Sequence, residues 1–193
     1  MKQHYLLASD LGLSAIDHSH FSSLYYGAGD SPFGPWLMAW DRLGLVYSNM
    51  MINDQERHIR ELKQLFSVTE FITNNDQAAE YIEVYFQSMH PPLSAHIVAT
   101  PFQALVWDQT CRIPFGETIS YKQLGNNINC RSPRAVGQAL ARNPITFLIP
   151  CHRVIHTSGK FGNYSMAKHL LTLEERKQMK SNIIEWERQH SKT

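Results

Sequence analysis

The sequence predicts a mixed α/β (α+β) protein, with a small α/β domain at residues 1–98 and a mainly helical domain at residues 99–180. In the first part, short apolar runs typical of strands alternate with amphipathic segments typical of helices. The charge also changes at this boundary. Residues 1–99 hold 5 Lys and Arg against 11 Asp and Glu, whereas residues 100–180 hold 11 against 4. Residues 181–193 are predicted to be a tail.

The N-terminal elements follow from their runs and caps. Apolar runs joined by a Gly-containing turn are typical of a β-hairpin. Asn53-Asp54-Gln55-Glu56 has the form of a capping box, and His90-Pro91-Pro92 ends a helix. The predicted elements are a strand at 5–8, hairpin strands at 36–40 and 45–50, helices from the cap to about 66 and at 75–89, and a strand at 96–99.

The C-terminal part begins with a series of capped helices. Thr100-Pro101 starts one helix, Ser120 caps a short second one, and Ser132-Pro133 starts a third that runs to about 142. Two short helices joined by a polar turn predict a helix-turn-helix. A last helix is predicted from 166 to about 187, followed by a fraying end.

The helix at 132–142 has an unusual face. Ala135, Gly137, Ala139 and Ala141 are all small, although glycine inside a helix costs about 1 kcal/mol relative to alanine. Such a face allows either close packing on a protein core or close approach to a nucleic-acid backbone. The basic balance of residues 100–180 is typical of a surface that meets a polyanion, although scattered charges can simply solubilise a domain.

Cys151 stands where a buried segment leaves the core. The apolar run 145–148 predicts a strand, and Pro150 ends it because proline has no backbone donor. A thiolate is a strong nucleophile when a base or cation lowers its pKa, and His152 and Arg153 follow directly. The alternative is that Cys151 is only a small buried apolar residue.

The composition excludes several classes of protein. The three cysteines show no regular spacing, so neither a disulfide framework nor a metal site is predicted, and no cofactor is expected. The sequence contains no apolar stretch of the roughly 20 residues that a membrane span needs. The protein is therefore expected in the cytoplasm, or in the nucleus of a eukaryote.

Around Cys151 the sequence resembles the O6-alkylguanine-DNA alkyltransferases, or methylated-DNA–protein-cysteine methyltransferases. The resemblance spans roughly residues 100 to 176 and rests on five segments in the family's order. These are Ser-Tyr-Lys-Gln-Leu at 120–124, Arg-Ala-Val-Gly at 134–137, Ile-Pro-Cys-His-Arg-Val at 149–154, Gly-Asn-Tyr-Ser at 162–165 and Leu-Leu-Thr-Leu-Glu at 170–174.

The resemblance implies a reaction as well as a fold. It implies a ribonuclease-H-like N-terminal domain and direct repair of double-stranded DNA. The alkyl group of O6-alkylguanine, with O4-alkylthymine as a further candidate, would pass to the protein once per molecule. A minor-groove helix-turn-helix would flip the base. The protein is expected to be a monomer that needs no cofactor and does not act at a membrane.

The resemblance also implies the roles of individual residues. Cys151 is the acceptor, His152 takes its proton through a water, and Glu174 orients and charges His152. Tyr121 donates toward the guanine ring, and Asn143 is the hinge before the active segment. Further implied contacts are Val154, Tyr164 and Ser165 around the base, Arg134 as the finger that replaces it, Ala135, Gly137 and Ala139 in the groove, and Gln103, Lys122, Asn129 and Thr157 on DNA.

The sequence departs from the family's pattern at one point, and two other functions are alternatives. Only residues 166–169 separate Ser165 from the Leu-Leu pair, fewer than is usual in the family, which predicts a more open pocket. A non-catalytic damage sensor of the alkyltransferase-like type would carry tryptophan in place of Cys151. A cysteine hydrolase would need a histidine remote in sequence, which Cys151-His152 does not offer.

Overall fold

The computed structural model describes residues 13–15, 23–66, 70–87, 93–162 and 171–191. The chain divides into two compact units, Met1–Ala99 and Thr100–Thr193. The first combines a sheet with helices and the second is mainly helical, which confirms the predicted mixed α/β class. Among the described helices, none has the length and apolar character to cross a bilayer.

The first unit is built on a six-stranded sheet. Its strands are β1 (Leu13–Ala15), β2 (Ser23–Ser31), β3 (Gly34–Trp40), β4 (Leu45–Met50), β5 (Glu70–Thr73) and β6 (Ala95–Ile97). The order across the sheet is β1-β6-β4-β3-β2-β5, with β2, β3 and β4 antiparallel and the other pairs parallel. Helix α1 (Gln55–Leu65) follows β4, and α2 (Asn75–Gln87) follows β5.

Strand β3 is covered on both faces. Leu37 packs with Leu62 of α1, whereas the neighbouring Trp36 lies edge-on to Phe86 of α2, with ring centroids 5.0 Å apart. Alternate residues of a strand point to opposite faces, so both sets must be apolar. This is why residues 36–40 form an uninterrupted apolar run.

In its described part, the second unit has four α-helices and a two-stranded pairing. The elements are α3 (Pro101–Cys111), β7 (Ile119–Ser120), α4 (Tyr121–Asn127), α5 (Pro133–Leu140), β8 (Val154–Ile155) and α6 (Leu173–His190). Strand β7 runs parallel to β8. Each helix starts at a Ser or Thr whose hydroxyl accepts a hydrogen bond from the backbone, namely Thr100, Ser120, Ser132 and Thr172. Such a cap contributes about 1 kcal/mol.

Most predicted elements are confirmed. The hairpin, the helices α1 to α5 and a strand near 96 are present, although α5 ends at Leu140. The strands β1, β2, β5, β7 and β8 were not predicted. The predicted strand at 145–148 is wrong, because these residues form turns with one isolated bridge between Thr146 and Ile149. The predicted strand at 5–8 lies outside the described residues.

The predicted C-terminal tail is also wrong over its described part. Helix α6 continues to His190, and Glu187 is fully buried. The helix begins at Leu173, after its cap Thr172; the predicted start at 166 lies outside the described residues. Residues 181–190 therefore belong to the second unit rather than following it.

Gly27 of β2 provides a test of this architecture. A Cβ at Gly27 would lie 2.4 Å from the carbonyl oxygen of Asn74, which is backbone and cannot move aside alone. We expect Gly27→Ala to lower the free energy of unfolding by about 1–3 kcal/mol, measured by urea denaturation. Gly29→Ala is the control, because its Cβ would first meet the flexible tip of Ile82 at 3.1 Å. Equal losses in the two variants would contradict this packing.

Candidate active site

Cys151 opens a single turn of 3₁₀ helix, Cys151–Arg153, that leads into β8. Its side chain is buried, with 4% of the residue exposed. Helices α3 and α6 both pack against this turn. The backbone N–H of Arg153 donates to the carbonyl of Pro150 at 2.9 Å, which holds the turn closed.

Asn143 ties this turn to the segment before it. Its Nδ2 donates to the carbonyl of Ile149 at 2.8 Å and to the sulfur of Cys151 at 3.4 Å, and its Oδ1 accepts from the backbone N–H of Ile145 at 2.9 Å. The side chain thus bridges both ends of the loop, as expected of a hinge. A donor beside sulfur also favours the thiolate over the thiol.

Phe147 explains why the predicted strand is absent. Its φ of +77° lies in the left-handed region, which costs a bulky residue roughly 1–2 kcal/mol. The chain reverses there, and the N–H of Ile149 donates back to the carbonyl of Ile145 at 3.1 Å. The phenyl ring lies over the imidazole of His152, with centroids 5.4 Å apart and planes 28° apart.

A buried ionic cluster lies behind Cys151. The Oε1 of Glu187 lies 2.7 Å from Nε2 of His152, and Arg153 donates to both Glu187 oxygens at 2.8–3.1 Å. Arg153 also donates to the carbonyl of Ile113, and the N–H of Gly116 donates to Oε2 of Glu187. The Glu187 and His152 side chains are fully buried, and that of Arg153 is 8% exposed.

The charges in this cluster follow from burial and pairing. Burial lowers the pKa of His152 below its ordinary 6.5, so the imidazole is neutral at pH 7. Burial alone would raise the pKa of Glu187, but hydrogen bonds and charge from its partners outweigh that effect and lower it to about 2. With His152 neutral, Arg153 is the cation that keeps Glu187 ionised.

The neutral imidazole has a defined tautomer. Because Glu187 is ionised, Nε2 of His152 donates to it and Nδ1 carries the lone pair. This buried Nδ1 has no hydrogen-bond partner among the described residues. A neutral imidazole with an open nitrogen and a carboxylate behind it is the arrangement of a general base.

Glu174 does not occupy the predicted position behind His152. Its side chain is 85% exposed and pairs with Lys177 at 3.2 Å. Glu174 and Glu187 lie thirteen residues apart on one helix, which separates them by roughly 20 Å. When Glu187 contacts His152, Glu174 therefore cannot. Glu187 fills the role that was assigned to Glu174.

A sequence signal for Glu187 existed. The pattern of two apolar residues followed three positions later by Glu occurs twice, ending at Glu174 and at Glu187. Only the second has both apolar residues, Ile183 and Ile184, buried among the described residues. Counted to this second pattern, the sequence after Ser165 has 17 residues before Ile183 rather than four, so the connection is not short in sequence; the predicted opening of the pocket there lies outside the described residues.

Lys180 is a site residue that sequence reasoning missed. It lies on the α6 face that carries Ile183, Ile184 and Glu187, and only 1% of it is exposed. Its ammonium group donates to the carbonyl of Val154 at 2.5 Å. Burial lowers the pKa of Lys180 to about 8, and the negative charge of an ionised Cys151 partly opposes that effect. Lys180 and a Cys151 thiolate therefore stabilise one another.

Tyr121 lies on the other side of Lys180. Its ring centroid is 5.7 Å from the Lys180 ammonium and 5.3 Å from the ring of His156. A Cβ at Gly162 would lie 2.7 Å from the phenol oxygen, so only glycine leaves this approach open. Burial raises the pKa of Tyr121 to about 12, which keeps the phenol protonated at neutral pH.

The remaining pocket predictions have mixed outcomes. Val154 is buried in β8, and its carbonyl already accepts from Lys180, which leaves one lone pair for a ligand. Tyr164 and Ser165 lie outside the described residues.

Helix α5 presents one face to solvent and one to the core. Arg134 is exposed near its start, and Ala135 and Gly137 are half-buried. The expected DNA contact of Ala139 is wrong, because Ala139 is buried and its carbonyl accepts from Trp107 at 3.1 Å. Of the small residues of α5, Ala139 therefore packs into the core, whereas Ala135 and Gly137 lie partly at the surface.

The other predicted DNA contacts are spread over the surface. Lys122 and Thr157 line the same open groove of about 510 Å³. Asn129 is exposed in the turn between α4 and α5, with a φ of +55°. The side chain of Gln103 accepts from the N–H of Thr100 at 2.8 Å, so it completes the cap of α3.

Comparisons with known proteins agree on one family. The model of the 6-O-methylguanine DNA methyltransferase DNA-binding domain matches residues 101–189. The chain is 34% identical over 161 residues to the methylated-DNA–protein-cysteine methyltransferase of Methanosarcina acetivorans, covering 78% of this chain and 98% of that protein. It is 33% identical over 147 residues to the inducible one of Bacillus subtilis, covering 69% and 80%.

Solved structures give the same result. The O6-methylguanine methyltransferase of Mycobacterium tuberculosis superposes with a TM-score of 0.67 at 27% identity, covering 86% of this chain and 93% of that one. The same organism's OGT in complex with DNA gives a TM-score of 0.58 at 28% identity, covering 81% and 94%.

The two glutamates of α6 offer a matched test of the cluster. We expect Glu187→Gln to lower the free energy of unfolding by about 3–5 kcal/mol, because it leaves the Arg153 charge buried and unpaired. Glu174→Gln should change it by less than about 0.5 kcal/mol, since this pair is exposed. Urea denaturation of both variants measures the difference. Equal effects would contradict the assignment.

The lowered pKa of Glu187 predicts a pH dependence of the free energy of unfolding. The pKa of Glu187 in the fold, about 2, lies below its ordinary 4.5. Its stabilisation is therefore complete above pH 4.5 and is lost as the pH falls toward 2. The stability difference between wild type and Glu187→Gln should be constant near neutral pH and shrink on acidification. A difference that grows in acid would contradict this.

Proposed function

The chain belongs to the methylated-DNA–protein-cysteine methyltransferases, enzymes that repair DNA by moving an alkyl group onto a cysteine of their own, and we propose that Cys151 is that cysteine. The observation that carries the proposal is the arrangement around its sulfur. The Asn143 amide lies 3.4 Å away, and the next residue is a neutral imidazole backed by a buried carboxylate. The proposed substrate is O6-alkylguanine in duplex DNA, with O4-alkylthymine as a second one.

The first step is ionisation of Cys151. The thiol proton passes through a water to Nδ1 of His152, and the imidazolium that forms is stabilised by Glu187. Arg153 keeps Glu187 ionised before the proton arrives, so the carboxylate is in place when the positive charge develops. The Lys180 ammonium stabilises the thiolate electrostatically from the side of β8.

The second step is displacement at the alkyl carbon. The Cys151 sulfur forms a bond to this carbon while the bond from carbon to guanine O6 breaks, and the electron pair leaves with the guanine. Tyr121 donates a hydrogen bond to the guanine ring, which stabilises the negative charge that develops on the leaving group, and the departing guanine then takes its proton from solvent. Because burial raises the pKa of Tyr121 to about 12, the phenol keeps its proton and remains a donor throughout.

The product explains why each molecule acts once. Alkylated Cys151 is a thioether, and breaking its carbon–sulfur bond needs a nucleophile stronger than water. The base, nucleophile and hydrogen-bond donor are all side chains, so the displacement proceeds without a cofactor. A reducing compartment such as the cytoplasm keeps Cys151 available as a thiol, and we propose that the protein acts there as a monomer.

DNA is bound through the basic second unit. Arg134 at the exposed start of α5 is proposed to fill the place of the flipped base, and Ala135 and Gly137 leave room for a minor-groove backbone. Lys122 and Thr157, which share a groove, are proposed to contact phosphate, as is Asn129. Such contacts read shape and charge rather than sequence.

The other candidate function, a non-catalytic damage sensor, is not favoured. A sensor needs the groove and the base pocket but no activated sulfur. Cys151, His152 and Glu187 form a connected acid–base arrangement that binding alone would not require. The acceptor reaction accounts for all three residues.

Intact-protein mass spectrometry tests the acceptor. After incubation with duplex DNA containing O6-methylguanine, we expect the protein to gain one methyl group in place of one proton, located on Cys151. Cys151→Ser should gain none. Cys111→Ser is the control and should react like wild type, because burial raises the pKa of Cys111 to about 12 and keeps it a thiol. Methylation elsewhere, or repeated turnover, would reject the proposal.

A second test separates base flipping from chemistry. Arg134→Ala should slow repair of duplex about tenfold or more, because an unfilled gap makes flipping costlier. It should leave reaction with free O6-benzylguanine unchanged, since no duplex is opened. Arg112→Ala, an exposed arginine paired with Asp108, is the matched control for lost charge. Equal losses on both substrates would show that Arg134 does not act in flipping.

A further inference from the structure

Phe147 takes no part in the proposed steps, yet its ring lies directly on His152, the proposed general base. Only 6% of Phe147 is exposed, and its ring is stacked on the imidazole of His152. It also lies edge-on to Trp186 of α6, with centroids 5.7 Å apart. Trp186 precedes Glu187, so the ring on the face of His152 and the carboxylate at its Nε2 are linked through α6.

The backbone at Phe147 is unusual for this residue type. Three non-glycine residues in the described part of the chain have positive φ, and the other two are Asn53 and Asn129. Asparagine tolerates this conformation, whereas a phenylalanine there is strained. Simple core filling could use any apolar residue with ordinary φ. The strained position brings an aromatic ring onto His152.

We propose that Phe147 is a positioning residue for alkyl transfer: its ring, braced by Trp186, holds the His152 imidazole against Glu187 and keeps water from its face. This inference rests on the proposed function. The Phe147 ring buries one face of His152. This burial favours the neutral imidazole, which is able to accept a proton, in mildly acidic solution.

The charged groups around His152 are consistent with this role. Glu187 on α6 favours the protonated imidazole, whereas Arg153 beside it and Lys180 on α6 oppose protonation. Cys151 adjoins it in the same turn, and the ring of His190 packs on that of Trp186, with centroids 4.4 Å apart. Burial is the largest influence on His152, and the Phe147 ring covers one face of that imidazole.

The test is the pH dependence of single-turnover transfer from free O6-benzylguanine, which requires no DNA. For each protein, the rate at about pH 8 is divided by the rate at about pH 6. In Phe147→Leu the pKa of His152 should rise toward its ordinary 6.5, because leucine covers less of the imidazole than the phenyl ring does. The variant should therefore lose more of its rate at pH 6 than wild type does, and its ratio should exceed the wild-type ratio by up to about fourfold.

Two further variants keep the outcome decisive. Phe147→Gly removes the ring but relieves the backbone, so it tests the ring if the leucine variant folds poorly, and it should show the same raised ratio. Val106→Ala loosens the core of the second unit at α3 and should keep the wild-type ratio. A raised ratio in Val106→Ala would mean that general loosening, not the Phe147 ring, is responsible.

The outcomes separate this inference from the function on which it rests. Wild-type ratios in both Phe147 variants, with wild type active, would overturn the positioning role and leave the alkyl transfer intact. A wild type that transfers no alkyl group would overturn the proposed function and this inference with it.

Discussion

The carboxylate of Glu187 is the group on which the packing of the second unit depends. It joins α6 to the 3₁₀ turn through His152 and Arg153, and to the loop after α3 through Gly116. His152, Arg153 and Glu187 are buried, so each is stable only while the others are present. The same carboxylate that holds the helix in place therefore also fixes the tautomer of the imidazole next to Cys151.

This dependence links stability to chemistry in a particular way. A buried Arg–Glu pair keeps a negative charge ready behind a neutral imidazole, so little rearrangement is needed when the imidazole takes up a proton. Lys180 and Tyr121 extend the arrangement, with a cation near the sulfur and a phenol that retains its proton. Burial is the main cause of the shifted pKa values of His152 and Tyr121, the proposed base and the proposed hydrogen-bond donor to guanine.

The sequence predicted local features well and tertiary pairing poorly. Capped helices and the hairpin follow from short-range rules, so Thr100, Ser120 and Ser132 marked true helix starts. The motif around Cys151 also lies within one short segment, and it marks the proposed nucleophile. Glu174 was preferred over Glu187 because two copies of one pattern lie on the same helix, and only packing decides between them. Phe147 in a left-handed conformation could not be foreseen from an apolar run.

The charge state of His152 tests the central claim most directly, and nitrogen NMR of the labelled, unalkylated protein can measure it. The account predicts that the imidazole is mostly neutral at pH 6.5, the ordinary pKa of histidine, with the proton on Nε2 and an open Nδ1, because burial lowers its pKa and Glu187 accepts from Nε2. A doubly protonated ring at that pH, or a proton on Nδ1, would contradict it.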